Sequence, residues 1–113
     1  MRHITSKLRQ IGTTLAEALP GIVFHYKRPR GNFPWVTWQE DGASEMPADN
    51  AVQEQAMTGT VDYFTLTEYD ANIDTIQETL NGLMDAWRLV AVQFEEATGV
   101  IHYTWEWSIT TAW

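Results

Sequence analysis

"VIHYTWEWSIT" occupies residues 100–110, and its alternation decides the fold. Ile101, Tyr103, Trp105, Trp107 and Ile109 share one face, while Val100, His102, Thr104, Glu106 and Ser108 share the other. A period of two this regular describes a strand with one buried side and one wet side. Just before it, "RLVAVQFEE" (88–96) repeats the pattern, Val90, Val92 and Phe94 alternating with Ala91, Gln93 and Glu95. "ATG" joins the two, and Gly99 suits the left-handed position of a short hairpin loop with a bulge. An antiparallel hairpin of this kind needs a second layer over its apolar side.

Two amphipathic helices supply that layer. Ile4, Leu8, Ile11, Leu15 and Leu19 form one stripe and predict a helix over 3–19, ended by "LPG" at 19–21. Ile73, Ile76, Leu80, Leu83, Met84 and Trp87 predict a second helix over about 71–87, capped by Asp70 or Asn72. Between the helices lie three strand-like runs. "IVFHYK" (22–27) is β-branched and aromatic, and "RPRGN" (28–32) has turn chemistry. "FPWVTWQE" (33–40) follows, with Pro34 confined to a strand start or a sheet edge. "TVDYFTLTEY" (60–69) is the third. The expected architecture is one α+β domain over residues 1–113. It has a mainly antiparallel sheet with two helices packed on one face, in the order α-β-β-(long loop)-β-α-β-β. The long loop is the acidic stretch at about 41–59, which has no apolar periodicity.

Composition narrows the function classes. The chain has 113 residues and is 44% hydrophobic, enough for one core. It has no cysteine, which excludes disulfides and thiolate metal sites. No apolar run reaches the roughly 18 residues that cross a bilayer, so no membrane partner is expected. "MRHITSKLRQIG" at 1–12 is amphipathic rather than of signal-peptide type. The net charge of −8 is split unevenly, +5 over residues 1–30 and −13 over residues 31–113. The acidic majority repels nucleic acid, and the two parts attract each other within or between copies.

Reactive chemistry is thin. His3, His25 and His102 lack ligand spacing, although a sheet could bring His25 near His102, where Asp62 or Glu106 could join them as a metal site. His102 falls on the polar face, which favours a solvated ring. Ser6, Ser44 and Ser108 lack a nucleophile-elbow context, and no glycine-rich phosphate loop is present. The acids of "DYFTLTEYDANID" (62–74) lack calcium-loop spacing and suit the start of the second helix. No catalytic, metal or cofactor residue is assigned. The aromatic surplus points elsewhere. Six tryptophans strain the capacity of a small two-layer domain, and Trp35 and Trp38 point to opposite faces of one strand. Exposed rings beside polar groups mark interfaces. Met46, Val52 and Met57 give the acidic loop apolar anchors for docking on a neighbour.

The run "DYFTLTEYDANIDTIQETLNGLMDAWRLVAVQFEEATGVIHYTWEWSI" (62–109) resembles the tail-completion proteins of long-tailed bacteriophages. These are the tail terminators and tail-to-head joining proteins of siphophages. "VDYFT", "DANIDTIQETL" and "VQFEEATGVIHYTWEW" carry the likeness, and the earlier "WVTWQEDGA" is similar. The resemblance implies a non-enzymatic α+β protomer that assembles into a ring, usually a hexamer, at the end of the tail tube. It implies tail-tube and neck proteins as partners, DNA passing through the ring without specific binding, and a place in the virion after assembly in the host cytoplasm. No catalytic residues carry over, and no cofactor is implied. For such a ring, Lys27, Arg28 and Arg30 are expected to meet Glu40, Asp41, Glu45 or Asp49 of a neighbour. Trp35, Trp38, Met46, Val52 and Met57 complete the expected interface. The competing expectations are an acidic mimic of DNA that inhibits a nucleic-acid enzyme, and a small metal-binding or catalytic domain using the histidines.

Overall fold

The structure is a computed structural model describing residues 3–27, 31–45 and 54–112. Its elements are α1 (Ile4–Ala18), β1 (Val23–His25), β2 (Trp35–Glu45), β3 (Glu54–Thr65), α2 (Ala71–Leu83), β4 (Ala86–Glu95) and β5 (Val100–Ala112). The strands form one five-stranded sheet in the order β1-β2-β3-β5-β4. All pairs are antiparallel except β1 with β2. Both helices pack on one face, so the fold is α+β. No helix among the described residues is long and apolar enough to cross a membrane.

The core lies between that face and the helices. Register places Val61, Trp105 and Leu89 in one row across β3, β5 and β4. Ile11 and Leu15 of α1 and Ile76 and Leu80 of α2 close over Val36, Trp38, Val61, Tyr63, Trp105 and Trp107. Trp105 is fully buried, and its indole N–H donates to Gln77 Oε1 at 3.2 Å, tying β5 to α2. On α1, Gly12 lies so close to Trp38 that an added Cβ would sit 3.0 Å from the ring.

Several expectations need correction. The loop expected at about 41–59 is largely strand. β2 continues to Glu45 and β3 begins at Glu54, with Gly42, Ala43, Ser44 and Glu45 pairing with Thr58, Met57, Ala56 and Gln55. Only residues 46–53 remain between them, and these lie outside the described residues. A register shift between Glu40 and Gly42 breaks the alternation there, which hid the strand from a period-two reading. β1 and β2 do not form a hairpin. They pair in parallel, Val23 opposite Val36 and His25 opposite Trp38, after the chain turns at Tyr26 with φ 68°. Pro34 stands just ahead of β2, where no ladder bond is asked of it. The second helix stops at Leu83, so Met84 is its C-cap and Trp87 belongs to β4.

The start of α2 is held by a polar network that the sequence suggested only in part. Asp70 is the N-cap, and its Oδ1 accepts from the Asn72 backbone N–H at 2.9 Å. Its Oδ2 accepts from Tyr63 Oη at 2.6 Å and Thr65 Oγ1 at 2.7 Å. Asn72 Nδ2 in turn donates to Tyr63 Oη at 2.9 Å. Burial raises the Asp70 pKa, but the bonds from Tyr63, Asn72 and Thr65 outweigh it, leaving the carboxyl below its ordinary 3.8. Burial and then the Asp70 bond push the Tyr63 phenol up to about 12. A depressed carboxyl stabilises the fold fully above its unfolded value, and that contribution disappears as pH falls through the folded value. Asp70→Ala is therefore expected to cost about 1–2 kcal/mol near neutral pH, the size of a lost cap. It should also remove part of the acid-side loss below pH 3.8. Urea titrations of both proteins at neutral and acid pH check the magnitude and the sign.

Candidate interaction surface

The sheet separates the histidines. His25 follows Trp38 onto the helix side, whereas His102 pairs with Phe64 on the helix-free side. They therefore do not meet, and the shared metal site of the competing reading does not form. No cluster of three metal-ligating side chains occurs among the described residues. Each histidine finds a different carboxylate. His102 Nε2 lies 2.7 Å from Asp62 Oδ1, which also accepts from Thr104 Oγ1 at 2.8 Å. His25 Nε2 lies 2.8 Å from Glu40 Oε1. The His25 ring is stacked between Trp38 and Tyr26, both at 3.8 Å. Burial raises the Glu40 pKa, but its own backbone N–H and the bonds from His25 and Tyr26 carry it below the ordinary range. Glu106 instead faces Arg88 at 3.5 Å on the exposed outer side. These pairs link neighbouring strands.

On the helix-free face, Phe33 stacks on Trp35 at 4.1 Å and Phe64 stacks on His102 at 4.1 Å. Trp35 and Phe64 meet at 5.4 Å, so one aromatic row crosses β2, β3 and β5. The row buries Trp35 within the protomer. Trp38 and Met57 are buried in the core on the other side. These three cannot present their side chains to a neighbour as expected, because the protomer itself covers them. Trp105 and Trp107 are buried too, and Trp87 is half-buried with its N–H on Asn81 Oδ1 at 3.3 Å. The small domain thus has room for its tryptophans, with Trp113 outside the described residues.

The rest of the expected interface fares unevenly. Lys27 is exposed just beyond β1. Glu40 is engaged by His25, and Asp41 is exposed while accepting from Thr58 Oγ1 at 2.9 Å. Glu45 is the last residue of β2, and its side chain is not described. Arg28, Arg30, Met46, Asp49 and Val52 lie outside the described residues.

The apolar surface left uncovered is elsewhere. β4 is an outer strand, and Leu89, Val92 and Phe94 stand opposite Trp105, Tyr103 and Ile101 on the helix side. No helix covers them: Leu89 is 42%, Val92 52% and Phe94 63% exposed. A groove of about 790 Å³ begins there, running between the β4–β5 hairpin and the turn before α2. Leu66, Tyr69, Ile73, Phe94, Ile101 and Tyr103 line it. Tyr69 sits at φ 55° and is 92% exposed, an aromatic ring held in solvent by a backbone conformation that few side chains favour. Glu68, Asp70 and Asp74 add acid to the lining.

The sequence held a signal for this surface. Helices are about 10 Å wide and strands about 4.8 Å apart, so two helices cover roughly four strands. A fifth strand with a full apolar alternation must then show part of it to solvent. Comparison with family models and with curated proteins found no match to this chain.

Proposed function

We propose that this protein is a non-enzymatic structural component of a bacteriophage tail or neck. It works as a ring of identical copies that ends the tail tube or joins it to the head. The observation that carries this reading is the uncovered helix side of β4, whose Leu89, Val92 and Phe94 continue the core pattern of the sheet into solvent. Contiguous exposed apolar surface on an outer strand is costly in a single copy and is relieved by a neighbour. The α+β architecture is also the one that the tail-completion resemblance implies. The tail-tube protein, the neck protein and the six-fold count belong to the same resemblance.

Sedimentation or light-scattering mass tests the reading. The expected result is a closed ring, or a concentration-dependent exchange between single copies and rings. Phe94→Asp is expected to weaken assembly by about 2 kcal/mol or more, as for a central aromatic contact, while leaving the circular dichroism unchanged. A protein that stays single at every concentration, and instead binds a nuclease tightly, would reject the ring and favour the DNA-mimic reading. Electron microscopy of particles lacking the protein assigns the step. Overlong tails mean termination, and finished tails without heads mean joining.

A further inference from the structure

Among the described residues, a group of unpaired acids lies at one edge of the sheet and exposed bases lie at the other, with Glu17 on α1 and Arg88 on β4 as exceptions. At the β4 edge, Glu68 and Asp74 line the apolar groove, and Glu95 and Glu96 stand exposed where the β4–β5 hairpin turns. At the β1 edge, α1 carries Arg9, and Lys27 follows the strand. Arg9 borders the cleft between α1 and β1 together with His25 and Trp38. Among the described residues, the ion pairs are His25 with Glu40, Arg88 with Glu106 and His102 with Asp62. None of the groove acids, and neither of these two bases, is in that set.

We propose that the acid-lined groove of one copy receives the basic β1 edge of a second copy, so that copies join head to tail. This rests on the self-association reading above and names its two faces. Because β1 and β4 are the two outer strands of one sheet, the surfaces cannot meet within one copy. Contact between two unlike surfaces is heterologous, and repeating it closes a ring when the rotation allows. The occupant also supplies apolar matter for the groove floor. Tyr26 is 55% exposed at the β1 edge, and the lysine and arginine stems add methylenes. An arginine over Phe94 or Tyr69 would add a cation–π contact. The apolar floor provides the affinity. The charges set orientation and speed of encounter, and they reject a groove-to-groove pairing by like-charge repulsion.

Two charge-reversed proteins test this. One carries Glu68→Lys with Asp74→Lys, and the other Arg9→Glu with Lys27→Glu. All four positions are on the surface, and circular dichroism with a melting curve verifies that both variants fold. Sedimentation velocity is run on wild type, on each variant and on their equimolar mixture, at low and high salt. Wild-type assembly is expected to weaken as salt rises. Each variant alone should need at least about ten times more protein to assemble. The mixture should recover assembly, because every junction again joins opposite charges. Variants that assemble like wild type, or a mixture of folded variants that recovers nothing, would overturn the head-to-tail pairing. If wild type assembles and Phe94→Asp breaks it while both charge variants behave normally, this pairing falls and self-association stands. A wild type that never assembles removes both.

Discussion

Gly59→Val is expected to leave little folded protein. Gly59 sits in the middle of β3, opposite Glu40 on one side and Trp107 on the other. The Trp107 indole lies against it. A Cβ built there collides with the Trp107 ring and with the Gln39 carbonyl oxygen. The ring cannot move away easily, because Trp107 is buried in the core. The carbonyl belongs to the β2 backbone and cannot move without breaking the ladder. Overpacking of this kind costs roughly 1–3 kcal/mol for added methylenes with room to adjust, and more when backbone blocks the adjustment. Since domains are stable by only about 5–15 kcal/mol, loss of most soluble protein is expected. Gly82→Ala is the control. A Cβ at Gly82 meets nothing, and alanine favours helix by roughly 1 kcal/mol. Melting temperatures of the two variants should move in opposite directions.

The second large effect is at Trp105. Its ring is fully buried, joins β5 to α2 through Gln77, and occupies the centre of the row Val61–Trp105–Leu89. Trp105→Ala removes that volume from a place where helix and sheet both depend on it. Losses of about 3–5 kcal/mol are usual for such truncations. Trp105→Phe keeps most of the volume and gives up the bond to Gln77, so it should cost distinctly less. Urea denaturation measures both. If the alanine variant matched wild type, the description of the core would be wrong.

The sequence displayed its core better than its edges. Most of residues 100–110 read correctly because β5 is an inner strand with helices over one side, although Val100, assigned to the wet face, is buried. The stripes of Ile11 with Leu15 and of Ile76 with Leu80 were legible for the same reason. The end of β2 and start of β3 were not legible. A register shift after Glu40 disturbs the alternation, and acids such as Asp41 are compatible with strand only because that part of the sheet is exposed. Gly59 looked like a loop residue, and nothing local reveals that a tryptophan 48 positions later rests on it. The interaction surface was half visible. Val92 and Phe94 alternated as core residues do, but the position of β4 outside β5, beyond the reach of the helices, is a property of topology. Trp35 misled for the opposite reason. It lies on the helix-free face, where Phe33 and Phe64 enclose it.

The irregularity between Leu89 and Ala91 has a bearing on safety as well as shape. One extra residue in β4 changes the parity of the strand. It lets Leu89 point to the same side as Val92 and Phe94, although their numbers are odd and even. It also bends an otherwise inviting free border, and such kinks discourage stray chains from adding strand after strand into insoluble ribbons. Shortening β4 by Val90 alone should straighten that border while leaving Leu89, Val92 and Phe94 on one side. The result expected is a stickier protein with poorer company: more precipitate, fewer closed assemblies.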